Sequence, residues 1–351
     1  MSILDLLAAD APPGFVSTIT CEGSIGESDP VAIVYLHGRD SAEPPAPVLR
    51  NYADTAHPRN SCTFGGDGYR IHSLIDARHV VIIGRGAQYA VVELPEVRYH
   101  WFELPVTDMS YASLIAVSPA LDAATWRRAF TDGSLARQIL QIDASGEHLL
   151  ADLPRIETGR CGSPLDSSEG GFARTSDSFY VLDQAMPQMS VFVAGRSSDV
   201  ELTLYPPDAG WEGATTPLMA LWAPTSDTLY YRVGDDVMRW SVGSAPEVFL
   251  PDTPWSHPTF TPDGRHLAYA TDEGIYLVDM TRAPSPRLIR AGGITPVFLN
   301  SSQLWFKISP QQGCVTDEIQ VRVYDLNDRF DAASIIDHVL AVWPTTSSNS
   351  R

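Results

Sequence analysis

Short apolar runs separated by turn residues recur along the whole chain, and residues 255–279 show this pattern best. Three runs in this stretch have the length and composition of strands: 258–261, 266–270 and 275–278. Pro262-Asp263-Gly264 separates the first two as a turn, because proline presets φ, aspartate bonds its own backbone and glycine takes positive φ. Asp272-Glu273-Gly274 separates the second and third. The stretch is therefore predicted to be a meander of three antiparallel strands.

The same order of strands and turns recurs 38 residues earlier and 38 residues later in the chain. Phe260 aligns with Trp222 in the earlier copy and with Phe298 in the later one. Looser copies place the equivalent of Phe260 near residues 64, 117 and 166, with a seventh at Phe15. A meander of this size cannot bury both of its faces alone, so we expect the copies to pack on one another as propeller blades do.

The pattern predicts an all-β fold, a single closed β-propeller of mostly four-stranded antiparallel blades. Seven blades are preferred and six are the alternative. The propeller is expected over residues 13–343, after an N-terminal arm at 1–12 and before a disordered tail at 344–351. Residues 330–343 have two interpretations. Helical spacing of their apolar residues favours a short helix, and the alternative is a strand that closes the ring.

Pro258, Phe260 and the run Thr261–Gly264 resemble the blade motif of the TolB-like propellers, relatives of the WD-repeat family. Thr225-Ser226 departs from this motif, since it replaces Asp-Gly in the preceding copy. The resemblance implies an extracytoplasmic protein, in the periplasm or at the cell surface, that binds protein partners. The first ten residues have no basic segment and too short an apolar run for a signal peptide. The protein is therefore expected to be cytoplasmic or to begin after a removed signal, and the resemblance favours the second.

Composition narrows the range of partners and cofactors. The net charge is −19 and Lys307 is the only lysine, which argues against nucleic acid as a partner because phosphates need a basic surface. No apolar run reaches the ~20 residues of a membrane span. Four cysteines could pair in three ways or remain buried thiols, and none has metal-ligand spacing: Cys21, Cys62, Cys161 and Cys314. We therefore predict no metal and no cofactor.

No catalytic motif has convincing spacing in this sequence, so no catalytic residue is predicted. The nearest partial match to a known motif is the apolar run at 79–83 that leads into Gly84-Arg85-Gly86, which is similar to a dinucleotide-binding loop. Tyr89 takes the place of the third glycine, and residues 90–94 look like another strand instead of the helix that would hold a pyrophosphate. This segment is predicted to be a hairpin.

Ligands of a propeller meet the connections that lead into its innermost strands, because these open on one face. In the register of the copies, these connections contain Arg59, Asn60, Ser113, Ser163, Trp255, His257 and Thr295. Trp255 and His257 combine an aromatic ring with a titratable group, a common recognition pair, although Trp255 could also serve packing between blades. We select Trp255, His257, Arg59 and Asn60 as candidates for partner binding.

The predicted function is a non-enzymatic binding platform for a protein or peptide partner at the mouth of the propeller channel. This prediction rests on two observations: the repeat pattern that predicts the fold is strong, and no catalytic motif is found. The alternative is a hydrolase or lyase that acts on a carbohydrate or peptide, with acidic or histidine residues gathered over the channel.

Overall fold

The computed structural model describes the strands of the chain and many of their turns. The described residues are 14–22, 31–37, 46–54, 63–64, 70–74, 79–83, 88–93, 97–103, 110–130, 137–153, 168–183, 188–193, 200–204, 219–298, 301–308, 320–327, 330–334 and 339–344. Every regular element among them is a strand, so the all-β prediction is confirmed. No helix in this part of the chain is long and apolar enough to cross a membrane.

Twenty-nine strands run in chain order through the described residues. The first eight are β1 (Gly14–Glu22), β2 (Val31–His37), β3 (Ala46–Asp54), β4 (Thr63–Phe64), β5 (Arg70–Leu74), β6 (His79–Ile83), β7 (Gln88–Glu93) and β8 (Arg98–Glu103). The next eight are β9 (Ser110–Val117), β10 (Ala123–Phe130), β11 (Arg137–Asp143), β12 (Gly146–Leu153), β13 (Ser168–Phe172), β14 (Phe179–Asp183), β15 (Gln188–Phe192) and β16 (Val200–Thr203). Eight more are β17 (Ala220–Trp222), β18 (Thr228–Val233), β19 (Asp236–Ser241), β20 (Glu247–Leu250), β21 (Ser256–Phe260), β22 (His266–Thr271), β23 (Gly274–Asp279) and β24 (Arg287–Ala291). The last five are β25 (Gly293–Phe298), β26 (Gln303–Ile308), β27 (Gln320–Asp325), β28 (Phe330–Ser334) and β29 (Val339–Pro344).

These strands form seven sheets in the described part of the chain, in agreement with the preferred blade count. Six sheets contain four consecutive strands each: β5–β8, β9–β12, β13–β16, β17–β20, β21–β24 and β25–β28. The remaining sheet has the order β29-β1-β2-β3-β4, so it takes strands from both ends of the chain. The meander predicted at 255–279 is β21 to β23, and β24 completes its sheet.

A recurring turn after the first strand of four described sheets explains the sequence repeat. In the sheet that starts with β21, the N–H of Thr261 donates to the carbonyl of His266 at 2.9 Å. The same bond closes the turn after β9, β13 and β17 at 2.7 to 2.8 Å, from Ser118, Ala173 and Ala223. The alignments of Trp222 and of residue 117 with Phe260 are therefore confirmed at the level of the backbone.

Two of the looser alignments are wrong. Phe64 lies in β4 at the edge of its sheet, whereas the next sheet begins at β5. The copy near residue 166 is displaced, since Glu169-Gly170 belongs to strand β13 and the equivalent turn begins at Ala173. Acidic-Gly pairs occur in strands as well as in turns, so this short motif could not locate the turn alone.

The favoured helix near the C-terminus is also wrong. Residues 330–334 and 339–344 are strands, and β29 pairs antiparallel with β1, for example at Val342 and Val16. Pairing with an available strand edge therefore outweighs helical spacing, which is a weak signal over so few residues. The N-terminal arm at 1–12 and residues 345–351 lie outside the described residues, and Pro344 belongs to β29.

The chain has two compact units, residues 105–296 and residues 1–104 with 297–351. Within residues 105–296, the first strands β9, β13, β17 and β21 lie side by side in chain order. Buried side chains fill the spaces between consecutive sheets; Tyr180 and Trp222, for example, belong to one cluster between the sheets that begin with β13 and β17. The indole N–H of Trp222 crosses to the carbonyl of Gly171 at 3.0 Å. Within residues 105–296, consecutive sheets therefore bury facing sides against each other, as the meander length requires.

Candidate functional site

The connection from β20 to β21 positions the two best described candidates, Trp255 and His257. Two of its backbone N–H groups donate hydrogen bonds to the β18–β19 hairpin of the preceding sheet. The N–H of Thr253 donates to the carbonyl of Asp235, and the N–H of Asp252 donates to the carboxylate of Asp236, the latter at 2.9 Å. The connection therefore has a defined course at the leading end of β21.

Trp255 is fully buried, so the expectation of an exposed aromatic at this position is wrong. Its ring meets Tyr269 edge-on with centroids 6.2 Å apart, in a cluster that includes Leu250 and Leu267. Burial also raises the pKa of the Tyr269 hydroxyl, which therefore stays protonated. Trp255 therefore packs in the core and fixes the connection from β20 to β21. Packing is the second role that the sequence allowed for this residue.

His257, two residues further on, is exposed and has a left-handed backbone with φ of 48°. Its backbone N–H donates to Sδ of Met219, the residue before β17, at 2.8 Å. The register explains the conformation, because β21 places His257 and Pro258 opposite the single residue Tyr269. This bulge lifts the chain out of the regular ladder and turns the histidine toward solvent.

Charged groups lie near the N-terminal ends of β17 and β21, in the adjacent β18–β19 hairpin. The Arg232 guanidinium is 8% exposed and donates to the carboxylate of Asp235 at 2.9 Å and to the carbonyl of Gly234 at 2.5 Å. Asp235 itself is 70% exposed, and the backbone N–H of Arg232 donates to the carbonyl of Met219 at 3.3 Å. Met219 thus connects the arginine to His257. We call the group of His257, Met219, Arg232, Asp235 and Asp252 the rim.

The rim can bind and orient a ligand through an imidazole and exposed carboxylates. The carboxylate of Asp235 has unused acceptor capacity beyond its bond to Arg232, and Asp252 is exposed with φ of 47°. Left-handed backbone at non-glycine residues is uncommon and concentrates at functional sites. The connection from β20 to β21 contains two non-glycine residues with left-handed backbone, Asp252 and His257, within six positions.

Of the other predicted candidates, the structure describes Ser113 and Thr295. Arg59, Asn60 and Ser163 lie outside the described residues, and Ser113 lies within β9. Thr295 has the same place in β25 as His257 has in β21, and it has the same left-handed backbone, with φ of 52°. Sequence reasoning missed Met219, although the 38-residue repeat places it at the position of His257 one copy earlier.

A serine, a histidine and an aspartate meet in the β11–β12 hairpin, but their geometry is not that of a catalytic triad. Ser145 Oγ lies 2.8 Å from His148 Nε2 and 2.6 Å from Asp143 Oδ1, and His148 Nε2 lies 3.2 Å from the same oxygen. A triad needs the serine and the carboxylate on opposite nitrogens of the ring. Here both meet one nitrogen, so the group caps a turn. Among the described residues, no group of three or more His, Cys, Asp and Glu side chains could hold a metal ion.

Several solved structures resemble this fold at very low sequence identity. Oligogalacturonate lyase from Vibrio parahaemolyticus matches with a TM-score of 0.50 and 10% identity over 85% of this chain and 95% of that one. TolB from Acinetobacter baumannii matches at 0.43 and 11%, over 98% and 84% of the two chains, and Saccharomyces cerevisiae Sqt1 at 0.49 and 11%, over 95% and 84%. No protein-family model and no curated protein matches the sequence. The likeness shows the fold alone, which is a β-propeller.

Proposed function

We propose that this protein is a non-enzymatic propeller that binds a protein or peptide partner at the rim, the leading end of its first strands. The proposal rests on His257, whose imidazole is exposed. The backbone of this residue is left-handed, and its N–H donates to Sδ of Met219. Such strain persists only where the surroundings over-determine it, and here the buried Trp255 and the bonds to the preceding hairpin do so.

The charge of the rim indicates the kind of segment it binds. Asp235 and Asp252 are exposed acids of the rim, in a chain with a net charge of −19. Complementary charge steers encounter and excludes like-charged partners. The partner segment is therefore one that carries Lys or Arg. We also propose the TolB-like type of propeller and an extracytoplasmic location, on the blade motif at Pro258 to Gly264.

The test is binding of the purified protein to an array of peptides that vary in net charge, at physiological ionic strength. We expect the wild type to retain peptides that carry Lys or Arg, and His257→Ala to lose the same peptides at least several-fold. Arg265→Ala is the matched control, because Arg265 is exposed, as His257 is, but follows the opposite end of β21.

Two results would contradict the proposal. One is a wild-type protein that retains no peptide. The other is equal retention by wild type and His257→Ala, which would remove the rim as the binding surface.

A further inference from the structure

Exposed aromatic side chains concentrate on β8, the last strand of the sheet β5–β8. Residues 98–102 are all exposed, and they include Tyr99 at 41%, Trp101 at 50% and Phe102 at 41%. Tyr99 and Trp101 stack on each other with centroids 6.1 Å apart and planes inclined by 10°. Elsewhere in the described residues, exposed large apolar side chains stand singly. Tyr99 and Trp101, which share one face of β8, form an aromatic patch of the kind that proteins use to associate.

The outer edge of β8 differs from most other sheet edges of this protein. Edge strands β12, β20 and β24 each pair with their inner neighbour through a register shift, and β16 and β20 have only four residues each. Bulges and short lengths are ways in which proteins prevent edge-to-edge pairing. β8 pairs with β7 over six residues without a shift and contains no proline or lysine. Its edge is straight and long enough to accept another strand.

The order of residues in β8 suits pairing with itself. Two antiparallel copies related by a twofold axis through His100, perpendicular to the sheet, place Tyr99 opposite Trp101 and Arg98 opposite Phe102. Because side chains alternate between faces, Tyr99 and Trp101 of both copies meet on one face as two aromatic cross-strand pairs. On the other face each Arg98 guanidinium meets the ring of Phe102 from the other copy, a favourable cation–π arrangement.

We propose that β8 is the interface of a symmetric homodimer in which two copies join edge to edge, so that their sheets continue into one. Each residue pair occurs twice because the interface is isologous. Both copies carry a charge of −19, and the repulsion between them extends over a Debye length of ~8 Å at physiological ionic strength. Association therefore depends on the local aromatic and cation–π contacts, and β8 shares no residue with the rim.

The first test is the mass in solution, measured by light scattering after gel filtration at tens of micromolar protein. We expect the wild type to have twice the mass of one chain and Trp101→Lys to have the mass of one chain. Leu149→Lys is the matched control, because Leu149 is 54% exposed on the edge strand β12, and it should remain dimeric. A wild type with the mass of one chain, or a Leu149→Lys variant that dissociates equally, overturns the proposal.

A second variant tests the register without relying on a disruptive charge. In the proposed pairing residue 100 faces its own copy. Opposite Cβ atoms of an antiparallel pair lie about 4.5–5.5 Å apart, and the short end of this range reaches the about 3.5–4.5 Å that a disulfide spans. We expect His100→Cys to form a covalent dimer under mild oxidation. Val248→Cys, 53% exposed on β20, should not, and both variants keep the four native cysteines. Equal cross-linking of the two variants, or none in His100→Cys, overturns the pairing of β8 with itself.

Discussion

His257 and Thr295 occupy the same position in consecutive sheets, and both have positive φ without being glycine. Each precedes a proline, Pro258 or Pro296, which restricts the backbone further and removes an N–H from the ladder. For the β-branched Thr295 the conformation is a true outlier. The repeat therefore reproduces a left-handed residue before a proline, as well as an apolar pattern, near the start of its first strand.

Gly274 opens β23 in a conformation that only glycine adopts readily, with φ of +144°. A Cβ at this position would lie 2.0 Å from the carbonyl oxygen of Arg290, a backbone atom of the paired strand. We expect Gly274→Ala to lower the free energy of unfolding by about 3 kcal/mol or more, measured by denaturant titration. Gly243→Ala is the control: φ is +85° there and the space is open, so the loss should be about 1–2 kcal/mol. Equal losses would contradict this account.

Asp143 is held as a carboxylate by the turn it caps. The hydroxyl and the backbone N–H of Ser145 donate to Oδ1 at 2.6 and 2.7 Å and lower the pKa of Asp143 from 3.8 to about 2, with a smaller contribution from His148. A depressed folded-state pKa stabilises the fold above the unfolded value, and the effect is lost as pH falls from about 4 to about 2. We expect Ser145→Ala to raise the pKa of Asp143, followed by NMR titration.

Ser244→Ala is the control for that titration, because Ser244 caps the separate turn after β19. It should leave the titration of Asp143 unchanged. A pKa of Asp143 that stays near 2 in Ser145→Ala would assign the shift to another cause.

At the scale of elements, β29 is the edge strand beside β1 and completes the sheet that both ends of the chain share. It forms five backbone pairs with β1, from Gly14 with Pro344 to Thr18 with Val339. Deleting residues 339–351 removes these pairs and exposes the edge of β1. At about 1 kcal/mol for each pair and about 2.1 cal/mol/K of unfolding entropy per residue, we expect the thermal midpoint of this 351-residue chain to fall by about 5–10 °C, measured by circular dichroism.

Deleting residues 345–351 is the matched control, because this deletion begins after the end of β29. Its thermal midpoint should stay within a few degrees of the wild type. Similar melting of the long deletion and the wild type would mean that β29 adds little to the stability of the sheet.

At the scale of the molecule, the sequence was sufficient for the architecture because turn chemistry and apolar alternation are local. The 38-residue copies around Phe260 and the hairpin at 79–93 were predicted from such patterns, and the structure has both. Burial was not predictable in the same way. An isolated Trp looks the same in a sequence whether it fills a space between sheets, as Trp255 does, or meets solvent, as Trp101 does.

The site was predicted less well than the fold for a related reason. The rim is assembled by contacts across sheets, such as the bond from His257 to Met219, and no local pattern records them. Only the repeat length relates these two residues. The pairing of β29 with β1 likewise depends on an edge left open by the rest of the chain, so a local helical pattern predicted the wrong element.

Joining the two ends of the chain in one sheet has a consequence for synthesis on the ribosome. β1 emerges first among the described strands and β29 last, 325 positions later. At about 5–20 residues per second, β1 waits roughly 16 to 65 seconds for its partner. Throughout that interval the edge of β1 that pairs with β29 is available to any other nascent strand. Crowded polysomes therefore favour strand exchange between neighbouring chains, in which β29 of one chain pairs with β1 of another.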